Sequence, residues 1–341
     1  MSNAGLREAN KAKKDEFYTQ LSDIEAELKY YKEYFKGKTV FCNADDPYES
    51  NFFKYFAINF NSLGLKKLIA TNYVGSPITY TELPLFQAMS KKRPYCATIS
   101  ELTNKKQGDI LSLEDIKLVL KKLETEGKIN VLQGDGDFRS SEAVACLMEA
   151  DVVVTNPPFS LFREFVAQLI EYNKDFIILG NVNAVSYKEV FELFAKGQIW
   201  LGKSIHSGDR EFRVPADYPL DAAGCRTDEE GNRYIRVKGV RWFTNVEYDD
   251  RHTDIALTKT YSPEFFQKYD NYDAINVDKT SDIPFDYYGA MGVPITFLDK
   301  YNPDQFEIIG AMTSTQITDY NFGYPYVGGK KKYARIIIRR K

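Results

Sequence analysis

The stretch that decides the fold is Asp151-Val152-Val153-Val154-Thr155-Asn156-Pro157-Pro158-Phe159. Its first five residues form an apolar run between an acid and a hydroxyl, which is typical of a buried strand. Two prolines follow almost at once, and they cannot continue a central strand. Residues 156–159 therefore predict a rigid turn at the carboxyl end of a strand, where ligands of α/β sheets bind.

Strands and helices alternate on both sides of this stretch. Runs that predict strands are residues 39–42, 65–71, 129–132, 151–155 and 176–179, separated by helical patterns at 51–60, 112–126, 142–149 and 162–172. Such alternation favours a parallel sheet covered on both faces. Residues 74–110 contain three prolines and are expected to be irregular. From about residue 198, strands and turns predominate, which predicts a β-rich C-terminal region.

The composition excludes several classes of protein. The 341 residues are 43% hydrophobic and 14% aromatic, so the chain can bury a full core and is not disordered. No apolar run approaches the roughly 18 residues of a membrane span, and residues 1–36 are charged where a signal peptide would be apolar. We expect a cytoplasmic protein without a membrane partner.

Charge and cysteine content give little direct sign of a partner. The net charge of −3 offers no general case for nucleic-acid binding, although residues 330–341 carry seven basic residues and no acid, whereas residues 247–286 are acid-rich. The four cysteines form no Cys-x-x-Cys pair, and the chain has only two histidines. We therefore expect free thiols and no metal.

Residues 156–159 are suited to holding an amino group that is conjugated to a ring. Such an amine is a poor nucleophile because its lone pair is delocalised. The Asn156 side-chain oxygen and the Pro157 carbonyl can accept both of its protons and turn the lone pair towards an electrophile. Pro158 keeps the backbone rigid, and Phe159 offers a face for stacking the ring. The alternative is an ordinary Pro-Pro turn after a buried strand.

This Asn-Pro-Pro-Phe motif resembles the hallmark of the amino-methyltransferases that depend on S-adenosylmethionine. That group includes DNA adenine and cytosine-N4 methyltransferases and enzymes that methylate a protein glutamine. Further segments are similar to EcoRI-type DNA adenine methyltransferases: residues 15–19, 40–51, 180–184, 240–245, 269–278, 291–303 and 333–341. The resemblance extends from about residue 15 to the C-terminus, and the order of its parts matches the gamma class.

The resemblance implies a fold and a function. The expected fold is α/β and Rossmann-like, with an S-adenosylmethionine-binding catalytic domain at residues 1–250 and a β-rich DNA target-recognition region at 251–341. A recognition insertion is possible at 203–233. The implied activity is transfer of a methyl group from S-adenosylmethionine to adenine N6 at a specific site in double-stranded DNA, by base flipping.

The resemblance also implies a biological setting. The enzyme would be the modification partner in a restriction–modification system and would act as a monomer. A cognate restriction endonuclease would be a partner only in the sense of that system.

The resemblance and the strand-end positions together suggest cofactor-binding residues. They are Phe17, Tyr18, Thr19, Asn43, Ala44, Asp45, Asp46, Asn51, Thr71, Asn72, Asp135, Gly136, Asp137, Phe138 and Asn156. The loop after the first strand lacks the Phe-x-Gly-x-Gly pattern common in the superfamily, and its acids are candidates for the methionine amino group. Asn72 stands where an acid usually binds the ribose. Asp135 or Asp137 can accept from the cofactor's adenine amine, while Phe138 packs on its ring. Ordinary Asx-rich and Gly-Asp turns are the alternatives.

A third group of residues is predicted to contact DNA: Trp242, Phe243, Asn245, Arg210, Arg213, Arg241 and Lys331. Family position places Trp242 and Phe243 near the flipped base, with one ring opposite Phe159. Plain sheet packing is the alternative for these aromatics. For the basic residues, the alternatives are a solvated loop and a buried strand with solvated flanking charges.

Two rival functions remain at this point. A protein-glutamine methyltransferase would use the same motif, but that class carries an N-terminal recognition domain rather than a β-rich C-terminal region. A catalytically silent DNA-binding relative would keep the fold, but the intact residues 156–159 argue against it.

Overall fold

The computed structural model describes residues 17–43, 45–73, 93–102, 113–126, 128–214 and 224–341. The chain forms two compact units. The first comprises Met1–Val182 and Ser207–Val246, and the second comprises Asn183–His206 and Glu247–Lys341. The chain passes from the first unit to the second for the last time after Val246, close to the predicted boundary at residue 250. The proposed insertion at 203–233 falls partly in each unit. The roles assigned to the two domains stay a prediction.

The helices and strands follow in chain order. Up to residue 182 the first unit contains α1 (Leu21–Leu28), β1 (Thr39–Cys42), α2 (Asn51–Ile58), β2 (Lys67–Thr71), β3 (Tyr95–Ile99), α3 (Leu113–Thr125), β4 (Ile129–Val131), α4 (Ser141–Glu149), β5 (Val152–Thr155), α5 (Phe162–Glu171) and β6 (Asp175–Asn181). The second unit begins with α6 (Lys188–Ala195) and β7 (Trp200–Leu201). The first unit resumes with β8 (Asp209–Val214), β9 (Arg226–Thr227), β10 (Arg233–Lys238) and β11 (Val240–Thr244). The second unit ends with β12 (Ile275–Asn276), β13 (Met291–Pro294), β14 (Phe306–Met312), β15 (Tyr326–Val327), β16 (Lys330–Lys331) and β17 (Arg335–Arg340).

The first unit is built on a central sheet in which its strands follow the order β4-β3-β2-β1-β5-β6-β11. Neighbours among β2, β1, β5 and β6 are parallel. The strands β3, β4 and β11 run antiparallel to their neighbours, so the expected parallel sheet is parallel at its centre and has antiparallel strands on both sides. The carboxyl ends of β2, β1 and β5 lie side by side at one edge, where a ligand site is expected.

Strand β3 corrects the prediction that residues 74–110 are irregular. It pairs with β2 on one side and β4 on the other. Pro94 precedes its first residue, a position where proline does not interrupt the ladder. Because the prolines of the segment predict irregular structure, this short buried strand could not be recognised from the sequence.

Close packing behind the strand ends makes the sheet rigid there. Every residue of β1 and of β5 is buried. Gly180 of β6 has no side chain because a Cβ atom would lie 2.4 Å from the Phe162 ring and 2.9 Å from Phe243. Those two rings pack edge to face with centroids 4.9 Å apart. Each buried aromatic side chain of this kind contributes about 1.5–3 kcal/mol through burial.

The first unit also carries a small antiparallel sheet in the order β8-β10-β9. Its long pair runs from Asp209 opposite Lys238 to Val214 opposite Arg233. We call the pair β8–β10 the ribbon. Buried Phe212 and Val214 alternate with polar residues along β8, as expected when one face of a strand is covered.

The second unit contains a four-stranded sheet in the order β12-β13-β17-β14. The three isoleucines of β17, Ile336–Ile338, are fully buried, so the basic tail is partly a central strand. A separate two-stranded hairpin pairs β15 with β16. Among the helices that the structure describes, none is both long and apolar enough to span a bilayer.

Candidate active site at the carboxyl edge of the sheet

The strand order brings three polar loops together. Asn43 follows β1, Asn72 follows β2 and Asn156 follows β5, and these three strands are adjacent and parallel. The Thr71 hydroxyl donates to Asn43 Oδ1 at 3.3 Å. The Thr155 hydroxyl lies 2.7 Å from the Asn43 carbonyl oxygen. The loops predicted separately from sequence thus share one edge and one hydrogen-bond network.

Residues 156–159 form a rigid turn at this edge. Asn156, Pro157 and Pro158 are buried, and Phe159 is half-buried. Pro158 has extended backbone, and its carbonyl accepts from the Leu161 N–H at 3.0 Å as a short 3₁₀ turn begins. The two prolines therefore restrict the direction in which the chain leaves β5. The Asn156 side chain is held at the end of that strand.

The segment Phe17–Thr19, which we call the strap, packs directly on this turn. The Asn156 side-chain nitrogen donates to the Phe17 carbonyl at 3.0 Å. The Phe17 ring meets Phe159 edge to face, with centroids 6.3 Å apart. Asn51, at the start of α2, donates to the Thr19 carbonyl at 2.7 Å. The predicted contribution of the N-terminal Phe-Tyr-Thr element to this region therefore has a matching geometry.

Two carboxyl groups lie in the loop after β1, of which Asp46 is buried and Asp45 is half-buried. Burial raises the pKa of both Asp45 and Asp46 to about 7. Asp46 Oδ1 accepts from the Tyr48 N–H at 2.9 Å and from the Tyr95 hydroxyl at 3.0 Å. These hydrogen bonds favour the ionised form and only partly oppose the effect of burial.

The Thr155 hydroxyl lies between two acceptors, the Asp45 carboxyl group and the Asn43 carbonyl. Ser50, which caps α2, donates to Asp45 at 3.0 Å. The Thr155 hydroxyl contacts both Asp45 and the Asn43 carbonyl but has only one proton to donate. A protonated Asp45 can donate to Thr155 while Thr155 donates to Asn43, and this satisfies all three groups. Burial raises the pKa of Asp45, and the hydrogen bonds with Thr155 and Ser50 oppose this effect in part.

Five buried side-chain atoms at this edge have no hydrogen-bond partner among the residues that the structure describes. They are Thr19 Oγ1, Asn43 Nδ2, Asp46 Oδ2, Asn72 Nδ2 and Asn156 Oδ1. An unsatisfied buried polar atom costs about 1–3 kcal/mol. A native protein tolerates several of them in one place when a ligand supplies the missing partners. The set contains both donors and acceptors, so it is suited to a ligand that carries both.

The loop after β4 joins this edge through its backbone. Gly136 has a φ of +81°, and a Cβ atom there would lie 2.1 Å from the Asn72 carbonyl oxygen. Only glycine allows this approach. Asp135 is exposed, whereas Asp137 binds Arg139 through both carboxylate oxygens at 2.7–2.8 Å. Of the two acids, Asp135 is therefore the better placed to receive a ligand.

Phe138, which follows the two acids of this loop, is buried. Its side chain is 4% exposed and packs on Phe165, with centroids 5.1 Å apart. The ring therefore packs against α5, and its packing on a cofactor ring stays a prediction. Ala44 lies outside the described residues.

The structure corrects the predicted DNA contacts of Trp242 and Phe243 in β11 and of Asn245, which follows it. Trp242 and Phe243 are both 0% exposed, with Trp242 against Phe52 at 6.0 Å. The sheet-packing alternative therefore applies to both. Because β11 runs antiparallel to β6, Asn245 lies at the opposite edge from Asn156. Its amide there bonds the Phe176 N–H and the Lys174 carbonyl, at 2.8 and 3.1 Å.

The basic residues predicted to bind DNA have different environments. Arg241 is 5% exposed and donates to the Val240 carbonyl, so it is not a surface residue. Arg213 pairs with Glu49 at 2.6 Å. Arg210 lies 3.9 Å from Asp23. Lys331 is exposed on the β15–β16 hairpin. DNA binding by Arg210 and Lys331 stays a prediction.

Sequence reasoning missed several residues of the site. Tyr95 supports two predicted residues at once, because its hydroxyl donates to Asp46 and its N–H donates to Asn72 Oδ1 at 2.6 Å. It lies in the segment that was expected to be irregular, so no strand end was predicted there. Thr155 was read only as the end of a strand, although a lone hydroxyl closing an apolar run is itself a sign of a polar edge.

Metal and disulfide chemistry have no support in the described part of the chain. No group of three or more His, Cys, Asp or Glu side chains there is arranged to hold a metal ion. All four cysteines are free thiols, and the sulfurs of Cys96 and Cys146 lie 3.9 Å apart.

The fold and the site together define a class of protein. An α/β sheet with parallel central strands carries an amide, two prolines and an aromatic ring at a strand end, beside a buried polar edge. These are the features of an amino-methyltransferase, and the prediction of a Rossmann-like methyltransferase fold with a β-rich C-terminal region is confirmed.

Comparison with known proteins identifies the family. Residues 5–341 match the model of the family described as adenine-specific methyltransferase EcoRI. The chain is 46% identical to the Type II methyltransferase M.EcoRI of Escherichia coli, over 100% of this chain and 97% of that protein. It is 35% identical to the Type II methyltransferase M.MpnI of Mycoplasma pneumoniae, over 98% of this chain and 97% of that protein. The chain therefore belongs to the EcoRI family of adenine-specific methyltransferases.

A solved structure shows a more remote similarity. The crystal structure of an RNA methyltransferase candidate from Pyrococcus horikoshii is 17% identical and covers 72% of this chain and 100% of its own, with a TM-score of 0.31. That score is too low to support a conclusion.

Proposed function

We propose that this adenine-specific DNA methyltransferase transfers the methyl group of S-adenosylmethionine to N6 of a flipped-out adenine at a specific site in double-stranded DNA. The observation that carries the proposal is the set of five unsatisfied buried polar atoms beside the Asn156–Phe159 turn. We further propose that the enzyme acts as a cytoplasmic monomer and modifies DNA in a restriction–modification system, where a cognate endonuclease is its partner.

The polar edge suits the groups of S-adenosylmethionine. Asp46 Oδ2 is an acceptor for the ammonium of its methionine part. Thr19 Oγ1 and Asn43 Nδ2 are donors for its carboxylate. Asn72 Nδ2 and the exposed Asp135 carboxylate can serve the ribose hydroxyls and the adenine amine. When bound, the cofactor supplies an electrophilic methyl group on a positively charged sulfur.

The chain's own residues then act on the adenine amine. Asn156 Oδ1 is buried without a partner, and its amide nitrogen already donates to Phe17. The amide therefore presents its oxygen as a hydrogen-bond acceptor. Together with the Pro157 carbonyl it can hold both amine protons and orient the lone pair, while Phe159 stacks on the base. The excess proton leaves to water after transfer.

The burial of this edge supports base flipping. Asn156 is only 9% exposed and lies at the end of a central strand. An amine inside a stacked duplex cannot reach such an atom, so the base must leave the helix. No residue of the site favours a protein glutamine as the substrate, and membership of an adenine-specific family argues against that alternative.

Transfer of labelled methyl groups tests the proposal directly. The purified protein is incubated with radiolabelled S-adenosylmethionine and duplex DNA, and the DNA is then digested to nucleosides. We expect label in N6-methyladenine and none in N4-methylcytosine or in protein. Label in another product would contradict the proposed substrate, and absence of transfer by the wild-type enzyme would contradict the proposed activity.

Mapping the methylated adenines identifies the recognition sequence. DNA from cells that express the protein should carry N6-methyladenine at one short sequence. Methylation at adenines in unrelated contexts would contradict site specificity.

A further inference from the structure

We infer that Arg213 is a positioning residue, which fixes the strap so that Asn156 presents its side-chain oxygen to the substrate amine. The inference rests on the proposed function and assigns to Arg213 a role other than binding a DNA phosphate. It follows from a chain of contacts that connects the ribbon, the strap and the Asn156–Phe159 turn.

The first link joins the ribbon to the strap. Arg213 of β8 and Tyr18 form an isolated antiparallel bridge, with backbone hydrogen bonds of 3.0 and 3.2 Å in both directions. The Arg213 guanidinium lies 4.7 Å from the centre of the Tyr18 ring. It also pairs with Glu49 at 2.6 Å, in the loop that leads into α2. One side chain thus connects three separate segments of the first unit.

The second link joins the strap to the catalytic turn. The Phe17 ring packs between Phe212 of the ribbon and Phe159, with centroid distances of 5.8 and 6.3 Å. Its carbonyl accepts from the Asn156 amide nitrogen at 3.0 Å. The position of Phe17 therefore depends on the ribbon on one side and determines the environment of Asn156 on the other.

The orientation of the Asn156 amide is the property that matters. An amide can rotate by about 180° and exchange its oxygen and nitrogen. Only one orientation places a hydrogen-bond acceptor opposite the amine protons, and the other places a donor against a donor. Because the Phe17 carbonyl accepts from the nitrogen, it selects the productive orientation. Loosening of the strap would relax this selection and lower turnover.

Arginine is better suited to this role than lysine. Its planar guanidinium can stack on Tyr18 and bind Glu49 at the same time, whereas an ammonium group is a point charge. Within the protein, the Glu49 carboxylate already pairs with the charge of this guanidinium. A residue that binds a DNA phosphate through charge alone would accept the change to lysine.

The test compares Arg213→Ala and Arg213→Lys with the matched control Arg226→Ala. Arg226 also lies in the small sheet and also pairs with a glutamate, Glu211 at 2.8 Å, but it contacts Glu211 and Tyr234 within that sheet and not the strap. We expect Arg213→Ala to lower kcat about tenfold or more, with an unchanged KM for DNA and an unchanged dependence of binding on salt. Arg213→Lys should restore little of the loss, and Arg226→Ala should keep the wild-type kcat.

A second measurement does not depend on activity. Hydrogen exchange of the unliganded protein should show faster exchange at the Tyr18 amide in Arg213→Ala, and wild-type exchange there in Arg226→Ala. Glu49→Gln, which removes one partner and leaves the backbone bridge, should give a smaller change in the same direction. This variant keeps the test decisive if Arg213→Ala does not fold.

Some outcomes would overturn the inference. If Arg213→Ala flattened the salt dependence of DNA binding by about one unit and Arg213→Lys restored it, Arg213 would be a phosphate contact. Wild-type kcat and wild-type exchange in Arg213→Ala would also refute a positioning role. These outcomes are distinct from failure of the proposed function, in which the wild-type protein itself transfers no methyl group to DNA.

Discussion

The carboxyl edge of the sheet in the first unit and the β15–β16 hairpin in the second differ in the burial and hydrogen bonding of their polar groups. At the sheet edge, side-chain atoms are buried and lack partners. In the hairpin, the Gly328 and Gly329 N–H groups both donate to the Asp270 carboxylate, at 2.9 and 2.7 Å, while Lys330 and Lys331 are exposed. These two N–H groups of the hairpin have hydrogen-bond partners, and its two lysines face solvent.

This difference corresponds to two kinds of ligand. A small molecule that is enclosed by protein can supply the missing hydrogen-bond partners of buried atoms. Until it binds, those atoms stay without partners, which lowers the stability of the protein. An extended polyanion is met by exposed charges on a rigid support, and each contact adds a similar, salt-dependent increment. Substitutions should therefore have large effects at the sheet edge and small, graded effects at the hairpin.

The largest effect is expected for Asn156→Ala. Loss of the acceptor that orients the amine should lower kcat by about 10²–10³ or more, the range for a preorganised transition-state contact. Cofactor affinity should change little, since the side chain acts mainly on the amine. Kinetics of methyl transfer and calorimetric titration with S-adenosylmethionine measure the two quantities.

Asn245→Ala is the matched control for this prediction. It removes an amide of the same kind at the opposite edge of the sheet, where it bonds only backbone groups. It should lower stability and leave kcat near the wild-type value. Turnover by Asn156→Ala close to that of the control would contradict the proposed role of Asn156.

A smaller effect, which depends on pH, is expected at Asp46. Its pKa is raised to about 7, so it is largely neutral at pH 6 and largely ionised at pH 8. A bound ammonium favours the carboxylate, and the affinity for S-adenosylmethionine should therefore rise from pH 6 to pH 8. Asp46→Asn should weaken binding by about tenfold to a hundredfold at pH 8 and reduce this rise.

The same shift has a consequence for stability. In the unfolded chain Asp46 loses its proton near pH 4, whereas the folded protein retains it up to about pH 7. The free energy of unfolding without cofactor should therefore fall as the pH rises from about 4 to about 7. Asp46→Asn should raise the Tm of the unliganded protein at pH 8. An unchanged or lower Tm would show that burial does not penalise this carboxylate.

Substitutions in the loop after β4 should have effects on ligand affinity that are smaller than those at Asp46 and larger than those at the hairpin. Asp135→Ala should weaken S-adenosylmethionine binding by about tenfold if its exposed carboxylate accepts from the adenine amine. Asp137→Ala should have less effect on affinity, because Asp137 already binds Arg139. Calorimetry on both variants compares them. Equal affinities for the wild type and Asp135→Ala would show that this loop is an ordinary turn that does not bind the cofactor.

Much of the sheet edge could be predicted from sequence. Apolar runs followed by Asn43, Asn72 or Asn156 identify strand ends, and the topology of parallel strands places such ends together. The rule does not depend on side-chain contacts, which is why it succeeded without coordinates.

The errors had a different origin. Asn245 follows the antiparallel strand β11, so it lies at the edge opposite Asn156, and Trp242 within that strand is buried. Strand direction is set by pairing between distant segments, and a local pattern does not contain it. The charge of Arg213 is visible in the sequence, but its partner Glu49 is 164 residues away. Sequence alone could not separate an internal ion pair from a phosphate contact.

The smallest expected effect belongs to the hairpin. Lys331 is exposed on β16 and lies over the Tyr324 ring. If it binds a DNA phosphate, Lys331→Ala should reduce the slope of log affinity against log salt by about 0.9 and leave the methylated sequence unchanged, because phosphate contacts carry no base information. Lys268→Ala is the control, since Lys268 is an exposed lysine of the same unit that is paired with Asp273 at 2.8 Å. Binding measured at several salt concentrations separates the two variants. Equal slopes for Lys331→Ala and Lys268→Ala would remove the hairpin from the DNA interface and leave its exposed charges as solvated surface.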